Sequence, residues 1–391
     1  RDFCLSRGLG DVYKRQEGHG VNMTAISEVS KLSWRAIEND YTLDQYEEEL
    51  EKIRTRKRNY TPWQVAIGAG FACGGFCIQF GCDWMAFLYA SIAAIIGMRV
   101  RAKCNESGLN HYMGIAISAF IATMLAWAST LLPAEWTSTP WHPLLACALF
   151  IVPGVPLINF VDDMLDNYIQ VGIVRAVNTL LMVSAMAFGI AFAVKLCSIG
   201  DFFPTISMVP HHNYLEYAIA AAISAMGFSM IFNIQRRLLW VVAIGGIIAV
   251  CTRNFVNLGP STNNIGLDMG LVIGSFSGSV LVSLIAIKAV HWFHVPNHVL
   301  TIPSVIPMIP GVLMYRMLFG LINMNVQSID QVTPLMKAIE SGVNSGLVIM
   351  CIALGVAIPN IFGRKYIASS KNKRLAEILK ERKARGKFVE W

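Results

Sequence analysis

The chain has 391 residues, 54% of them hydrophobic and only 15% charged, with a mean hydropathy of +0.51. That balance excludes an ordinary soluble domain and describes an all-α chain that crosses a membrane many times. The net charge of +7 is local, since residues 364–391 alone carry ten Lys and Arg against three Glu; this reads as a basic cytoplasmic tail at a membrane surface, not a nucleic-acid site.

Residues 1–16, RDFCLSRGLGDVYKRQ, have no apolar core, cleavage site or helical period. They resemble the translated remnant of a sequencing adaptor and are set outside the fold, with the native N-terminus then missing; a native disordered tail is the alternative. Residues 17–61 read as a cytosolic helical segment. Ile26, Val29, Ser33 and Ile37 share one face, and Thr42 with Gln45 predicts a capping box that opens a second helix bearing Tyr46, Leu50 and Ile53. The basic run KIRTRKRN beside the first apolar stretch orients that end inside.

A span needs about 20 apolar residues. Ten segments come near this: 62–82, 84–100, 112–132, 143–160, 171–193, 213–232, 238–251, 265–287, 299–322 and 342–361. With the N-terminus inside, the inner loops collect Arg99, Arg101, Lys103, Arg175, Arg236, Arg237 and Lys288, while the outer connections carry Lys195, Arg253 and Lys337. Both termini then lie in the cytoplasm. The nine cysteines form no CxxC pair and suit buried helix contacts, Cys73 and Cys77 among them.

The chain repeats itself. Gly75, Phe76, Phe80 and Arg101 match Gly227, Phe228, Phe232 and Arg253 at an offset of 152, and Pro153, Gly154 and Val155 match Pro310, Gly311 and Val312 at 157. Val177, Asn178, Gly189 and Ala191 match Val343, Asn344, Gly355 and Ala357 at 166. Two copies of five spans each, over residues 62–200 and 213–363, put the second copy into the membrane upside down. This is the inverted-topology repeat of many secondary transporters, with binding sites at broken helices near the midplane.

The two Pro-Gly breaks fall in the matching fourth spans, about 15 Å and 16 Å from their starts at 1.5 Å per residue. A broken helix leaves amides on one side and carbonyls on the other, able to hold the two charges of an amino acid; a kink satisfied by neighbouring helices is the alternative. Six residues past each proline stand Asn159 and Arg316. Arg316 either pairs with a substrate carboxylate or an Asp, or snorkels to the interface. Asn178 and Asn344 either bind substrate or bond neighbouring helices. Asp162, Asp163 and Asp166 are candidate proton carriers, Asp162 and Asp166 sharing a helical face, if they line a vestibule and not the open surface. Asp268 has the same ambiguity. His291, His294 and His298 lack the partners of a metal set and read as an interfacial loop, so no metal and no cofactor is expected. GSFSG, residues 274–278, reads as close helix packing and not as a nucleophile elbow.

With these motifs in hand, the chain resembles the threonine/serine exporter family. GVNMTAISEVSKLSW, PWQVAIGAGFACGGF and PGVPLINFVDDMLDNYIQVGIVRAVNTLL resemble its N-terminal membrane module; GFSMIFNIQRRLLWVVAIGG and VIPMIPGVLMYRM resemble its smaller companion module. The resemblance implies two fused modules in the bacterial inner membrane, with export of small amino acids or related carboxylates and the proton gradient as drive. It carries functional weight to Pro153, Gly154, Pro156, Asn159, Asp162 and Arg175, and to Pro310, Gly311 and Tyr315; Arg316 rests on the physical argument alone. Relatives have more cytosolic sequence before the point matching Gly18. The expectation is therefore a non-enzymatic amino-acid exporter working by alternating access on a small-molecule substrate, with a dicarboxylate exporter, a channel or a scaffold as rivals. Its partners are that substrate and the bilayer; a homo-oligomer is compatible with the sequence and not specified by it.

Overall fold

The computed structural model describes residues 21–131, 133–197, 212–260, 265–293, 295–322 and 332–384. Residues 1–16, His294 and the side chain of His291 therefore lie outside it. Every regular element among the described residues is helical. Helix α1, Met23–Asn39, is capped by the Asn22 side chain, which accepts from the Ala25 N–H, and α2, Leu43–Arg54, opens with the expected reciprocal Thr42–Gln45 box. The buried face of α1 differs from the expected one: Met23, Thr24, Ser27 and Leu32 are buried, while Ile26 is 47% exposed. Periodicity finds a stripe, but the docking partner selects the face. Here the partner is the turn after Ile231, where the Met23 N–H donates to the Phe232 carbonyl at 3.0 Å.

Among the described residues, seven helices are long and apolar enough to cross a membrane. They are α4 Trp84–Glu106, α5 His111–Ala128, α8 Ile169–Leu196, α9 Tyr214–Ile231, α10 Leu239–Asn257, α11 Leu271–Phe293 and α14 Val332–Ala384, the last through its stretch Leu335–Gly363. An eighth arises if α12, Asn297–Val305, with its following 3-10 turn Ile306–Met308, and α13, Gly311–Ile322, bent by 56°, count as one broken span. The first expected span is α3, Pro62–Gln79, an 18-residue helix rich in glycine. The fourth is not one helix: α6, Pro143–Ala146, a 3-10 turn, Leu149–Ile151, and α7, Gly154–Leu165, succeed one another.

The seventh expected span stops too early at residue 251. Polar Thr252, Arg253 and Asn254 end the apolar run, yet α10 continues to Asn257 and buries Asn254 at 4% exposure. Polar side chains with partners do not end a helix. The C-terminal tail continues helical from the last span to Ala384.

Helix α3 packs on α9, and each first helix packs on the second of its own set, α3 on α4 and α9 on α10. The pairings α4 with α5, α5 with α8 and α7 with α8 recur as α10 with α11, α11 with α14 and α13 with α14. Small residues permit the closest approaches, as expected where apolar lipid removes the hydrophobic drive for helix association. A Cβ on Gly75 would lie 2.6 Å from the Ala220 carbonyl, and one on Gly227 only 2.4 Å from the Gly68 carbonyl. Residues 68, 72, 75 and 76 correspond to 220, 224, 227 and 228 at the offset of 152, so these two contacts are reciprocal. Ser224 Oγ donates to the Ala72 carbonyl at 2.8 Å, and the Phe76 and Phe228 rings meet edge on at 5.8 Å. Farther along, Gly189 abuts Ala116 and Ala119, and its counterpart Gly355 abuts Phe276, Ser279 and Val280. Gly274 and Gly278 seat α11 against the backbone of α10, as their four-residue spacing predicts.

Two polar seams close the ends of the α3–α9 contact. At one end Asn233, in left-handed geometry with φ 56°, accepts from the Asn59 N–H at 2.8 Å and donates to Asn22 at 2.8 Å. Arg236 there donates to the Asn59 carbonyl and lies over the Tyr60 ring. At the other end His212 bridges the Glu216 carboxylate, 2.9 Å, and the Cys82 carbonyl, 2.8 Å. Beside it Asp83 caps α4 through the Ala86 N–H and accepts from Thr137 and Ser138.

Candidate functional site

Both breaks are built alike. At the first, Pro153 sits at φ −76° and ψ 61°, an inverse γ-turn in which the Gly154 N–H donates to the Val152 carbonyl at 2.7 Å. At the second, the Gly311 N–H donates to the Ile309 carbonyl across Pro310 at 2.9 Å. Each glycine then starts a new helix, and Pro156 falls in the first turn of α7, where its missing N–H costs nothing.

The γ-turns take up amides that a broken helix would otherwise leave open. No acceptor occurs among the described residues for the Val155 N–H at the start of α7, or for the Val312 and Leu313 N–H groups at the start of α13. Val155 and Val312 are each 2% exposed. The interior therefore holds two helix N-termini with unspent donors and the positive ends of two helix dipoles, an arrangement suited to a carboxylate.

The two breaks meet. A Cβ on Gly154 would lie 2.8 Å from Ile309 Cδ1 and 3.2 Å from Ile306, and one on Gly311 would lie 2.5 Å from Leu149 Cδ2 and 3.5 Å from Val152. Ile306 and Ile309 correspond to Leu149 and Val152 at the offset of 157, so each glycine receives the same two positions of the opposite break. Val152, Leu149, Ile306 and Ile309 are all buried, and the breaks are packed shut on one another.

Thiols stitch the first break to α3. The Phe150 N–H donates to Cys73 Sγ at 3.2 Å, Cys73 donates to the Cys147 carbonyl at 3.8 Å, and Cys147 faces Thr123 Oγ1 at 3.9 Å. Tyr315, 1% exposed, directs its hydroxyl at Met186 Sδ on α8, 3.4 Å away. Cys73, Cys147 and Met186 escape a reading of the sequence because single thiols and thioethers in apolar runs look like packing; the unpaired backbone beside a proline was the signal that such partners would be needed.

Asn159 and Arg316 are half-buried, on α7 and α13 beyond the breaks. Asn178 accepts from the Tyr112 hydroxyl at 2.6 Å, tying α8 to α5. Asn344 is half-buried on α14. The aspartates gather where α7 ends. Asp163 lies 2.5 Å from Arg175 Nη1 without hydrogen-bond alignment, closing the turn into α8, while the Asp162 carboxylate lies 3.9 Å from His298 Nε2 on α12. Asp166 caps α7 through its N–H to the Asp162 carbonyl. At 22% and 20% side-chain exposure, Asp163 and Asp162 occupy a seam between the end of α7 and the start of α12. His298 belongs to the loop read as merely interfacial. Asp268 has φ 53° and its N–H meets the Leu258 carbonyl, so its backbone is spent on the loop before α11.

The chain matches two family models in tandem. One, described as "Putative threonine/serine exporter", covers residues 10–197, and the other, "Threonine/Serine exporter, ThrE", covers residues 217–362. Among curated proteins it is 26% identical over 183 residues to the "Probable succinate transporter subunit YjjP" of Klebsiella aerogenes and 27% identical over 183 residues to that of Escherichia coli. Each alignment spans 47% of this chain and 70% of the relative. No solved structure matches the chain significantly. The matches divide where the repeat divides, and with a multi-pass helical body beneath them they establish that the chain belongs to the threonine/serine exporter family.

Proposed function

We propose that the protein is a secondary transporter that exports threonine, serine or a similar small amino acid across the bacterial inner membrane by alternating access, coupled to protons. The two family modules act as inverted five-span repeats, ten spans in all, with both termini in the cytoplasm. The observation that carries this reading is the reciprocal contact between the breaks, Gly154 on Ile309 and Gly311 on Leu149, with the open amides of Val155, Val312 and Leu313 beside them. Reciprocal contacts are what a two-fold relation between halves produces. Rocking one half against the other would part the breaks and admit a carboxylate to the two helix N-termini.

In this reading Pro153, Gly154, Pro156, Asn159, Asn178, Pro310, Gly311, Tyr315, Arg316 and Asn344 line the substrate path. Asp162, Asp163, Asp166 and Arg175 couple protons at the seam where α7 meets α12. The test is efflux of radiolabelled threonine from loaded vesicles, with and without an imposed proton gradient. Efflux indifferent to the gradient would remove the coupling, and Arg316→Leu with wild-type flux would remove Arg316 from the path. A dicarboxylate exporter is the second reading, favoured by the succinate transporter subunits that resemble the first module. Brisk succinate efflux with none of threonine would select it.

A further inference from the structure

Arg253 stands near the C-terminal end of α10, on the same end of the molecule as Cys82 and His212 and opposite α1. Its Nη2 donates to Gln79 Oε1 at 3.5 Å and its Nε to Asn254 Oδ1 at 3.1 Å. No carboxylate among the described residues lies within ion-pair distance of it. The nearby acid, Glu216, is already engaged by His212 and by the Asn213 N–H at 3.1 Å. Two further donors close by are unspent. Among the described residues, Gln79, 6% exposed, has no acceptor for its Nε2, and Tyr217, fully buried beside Arg253 and with its phenol oxygen met by the His212 backbone N–H, has none for its hydroxyl proton. Among the described residues, what both side chains have left to offer at this spot is a donor proton. A structural kink or a snorkelling arginine would account for Arg253 alone and would leave Gln79 and Tyr217 unexplained, because buried donors without acceptors are costly.

We infer that Arg253, Gln79 and Tyr217 form a second carboxylate station, separate from the paired breaks and at the far end of the α3–α9 contact from α1. A guanidinium, a carboxamide and a phenol offer a charge and several N–H and O–H donors to one planar anion, the set that a carboxylate satisfies. The proposal rests on the reading that carboxylates pass through this protein, and it gives them a stopping place at the exit end.

The test reads Arg253 itself, so it does not depend on transport. The full chain in nanodiscs is treated with phenylglyoxal, and modification of Arg253 is followed by mass spectrometry with succinate, threonine or chloride present, in lipid with and without phosphatidylglycerol. Succinate or threonine should slow the modification roughly tenfold, where chloride does not, as a charge-assisted contact implies. Gln79→Leu, checked for monodisperse elution, should raise the half-protecting concentration by roughly the same factor. An Arg253 that the reagent never reaches, modification unaffected by either carboxylate, or protection that follows the anionic lipid instead, would each overturn the station. Protection without any threonine or succinate efflux would keep the station and discard the transport reading.

Discussion

Gly227→Ala tests the contact between the halves. The added Cβ would lie 2.4 Å from the Gly68 carbonyl oxygen and 2.6 Å from the Ala72 N, both backbone atoms that no rotamer change can move. The α3–α9 pair must separate to admit it, stretching the 2.8 Å bond from Ser224 to Ala72. Overpacking of this kind costs about 1 to 3 kcal/mol, and an interhelical hydrogen bond in a membrane contributes about 0.6 kcal/mol. Against that, alanine gains roughly 1 kcal/mol over glycine within a helix. The expected net effect is a loss of about 0.6 to 2.6 kcal/mol. Gly346→Ala on α14 is the control, since nothing lies within 4 Å of its added Cβ, and it should be neutral or stabilising by up to about 1 kcal/mol. Unfolding of the purified variants in detergent, followed by intrinsic fluorescence against denaturant, gives both numbers. If Gly227→Ala is as stable as Gly346→Ala, the halves do not meet along this line.

Asp83 should make a pH-dependent contribution. Burial alone would raise its carboxyl, but the donors from Ala86, Thr137 and Ser138 outweigh it and hold the pKa below its ordinary 3.8. A lowered folded pKa adds stability that is present above about pH 4 and fades as pH falls through the folded value. Asp83→Asn keeps a capping side chain, so its deficit relative to wild type should shrink between pH 6 and pH 3; a constant deficit would mean that charge is not the cause. Asn178→Ala should cost about 0.6 kcal/mol, and at most about 1.7, by removing the acceptor of the Tyr112 hydroxyl, and Tyr112→Phe combined with it should add little further in a double-mutant cycle. Asn233→Ala removes the bonds to Asn59 and Asn22 and strains a left-handed position, so limited trypsin digestion within 52–58 should become faster; unchanged cleavage would show that α1 is held by other contacts.

The sequence by itself determined the helical class, the cap at Thr42, the small-residue packing at Gly274 and Gly278, and the presence of two equivalent Pro-Gly breaks. Each is a local property: spacing, capping chemistry and the restricted backbone of proline act within a few residues. Where the expected elements failed, the missing information was a partner. The buried face of α1 was chosen by the turn at Phe232, and α10 ran past Arg253 and Asn254 because Gln79 and a buried surface received them. Likewise a chain repeat states that residues 154 and 311 are alike, but only the tertiary structure brings Gly154 onto Ile309 and Gly311 onto Leu149. The same holds for Asp162 beside His298, which are 136 positions apart in the chain. Periodicity records how a segment meets an unspecified neighbour; which neighbour it meets is fixed by the packing of all the helices together.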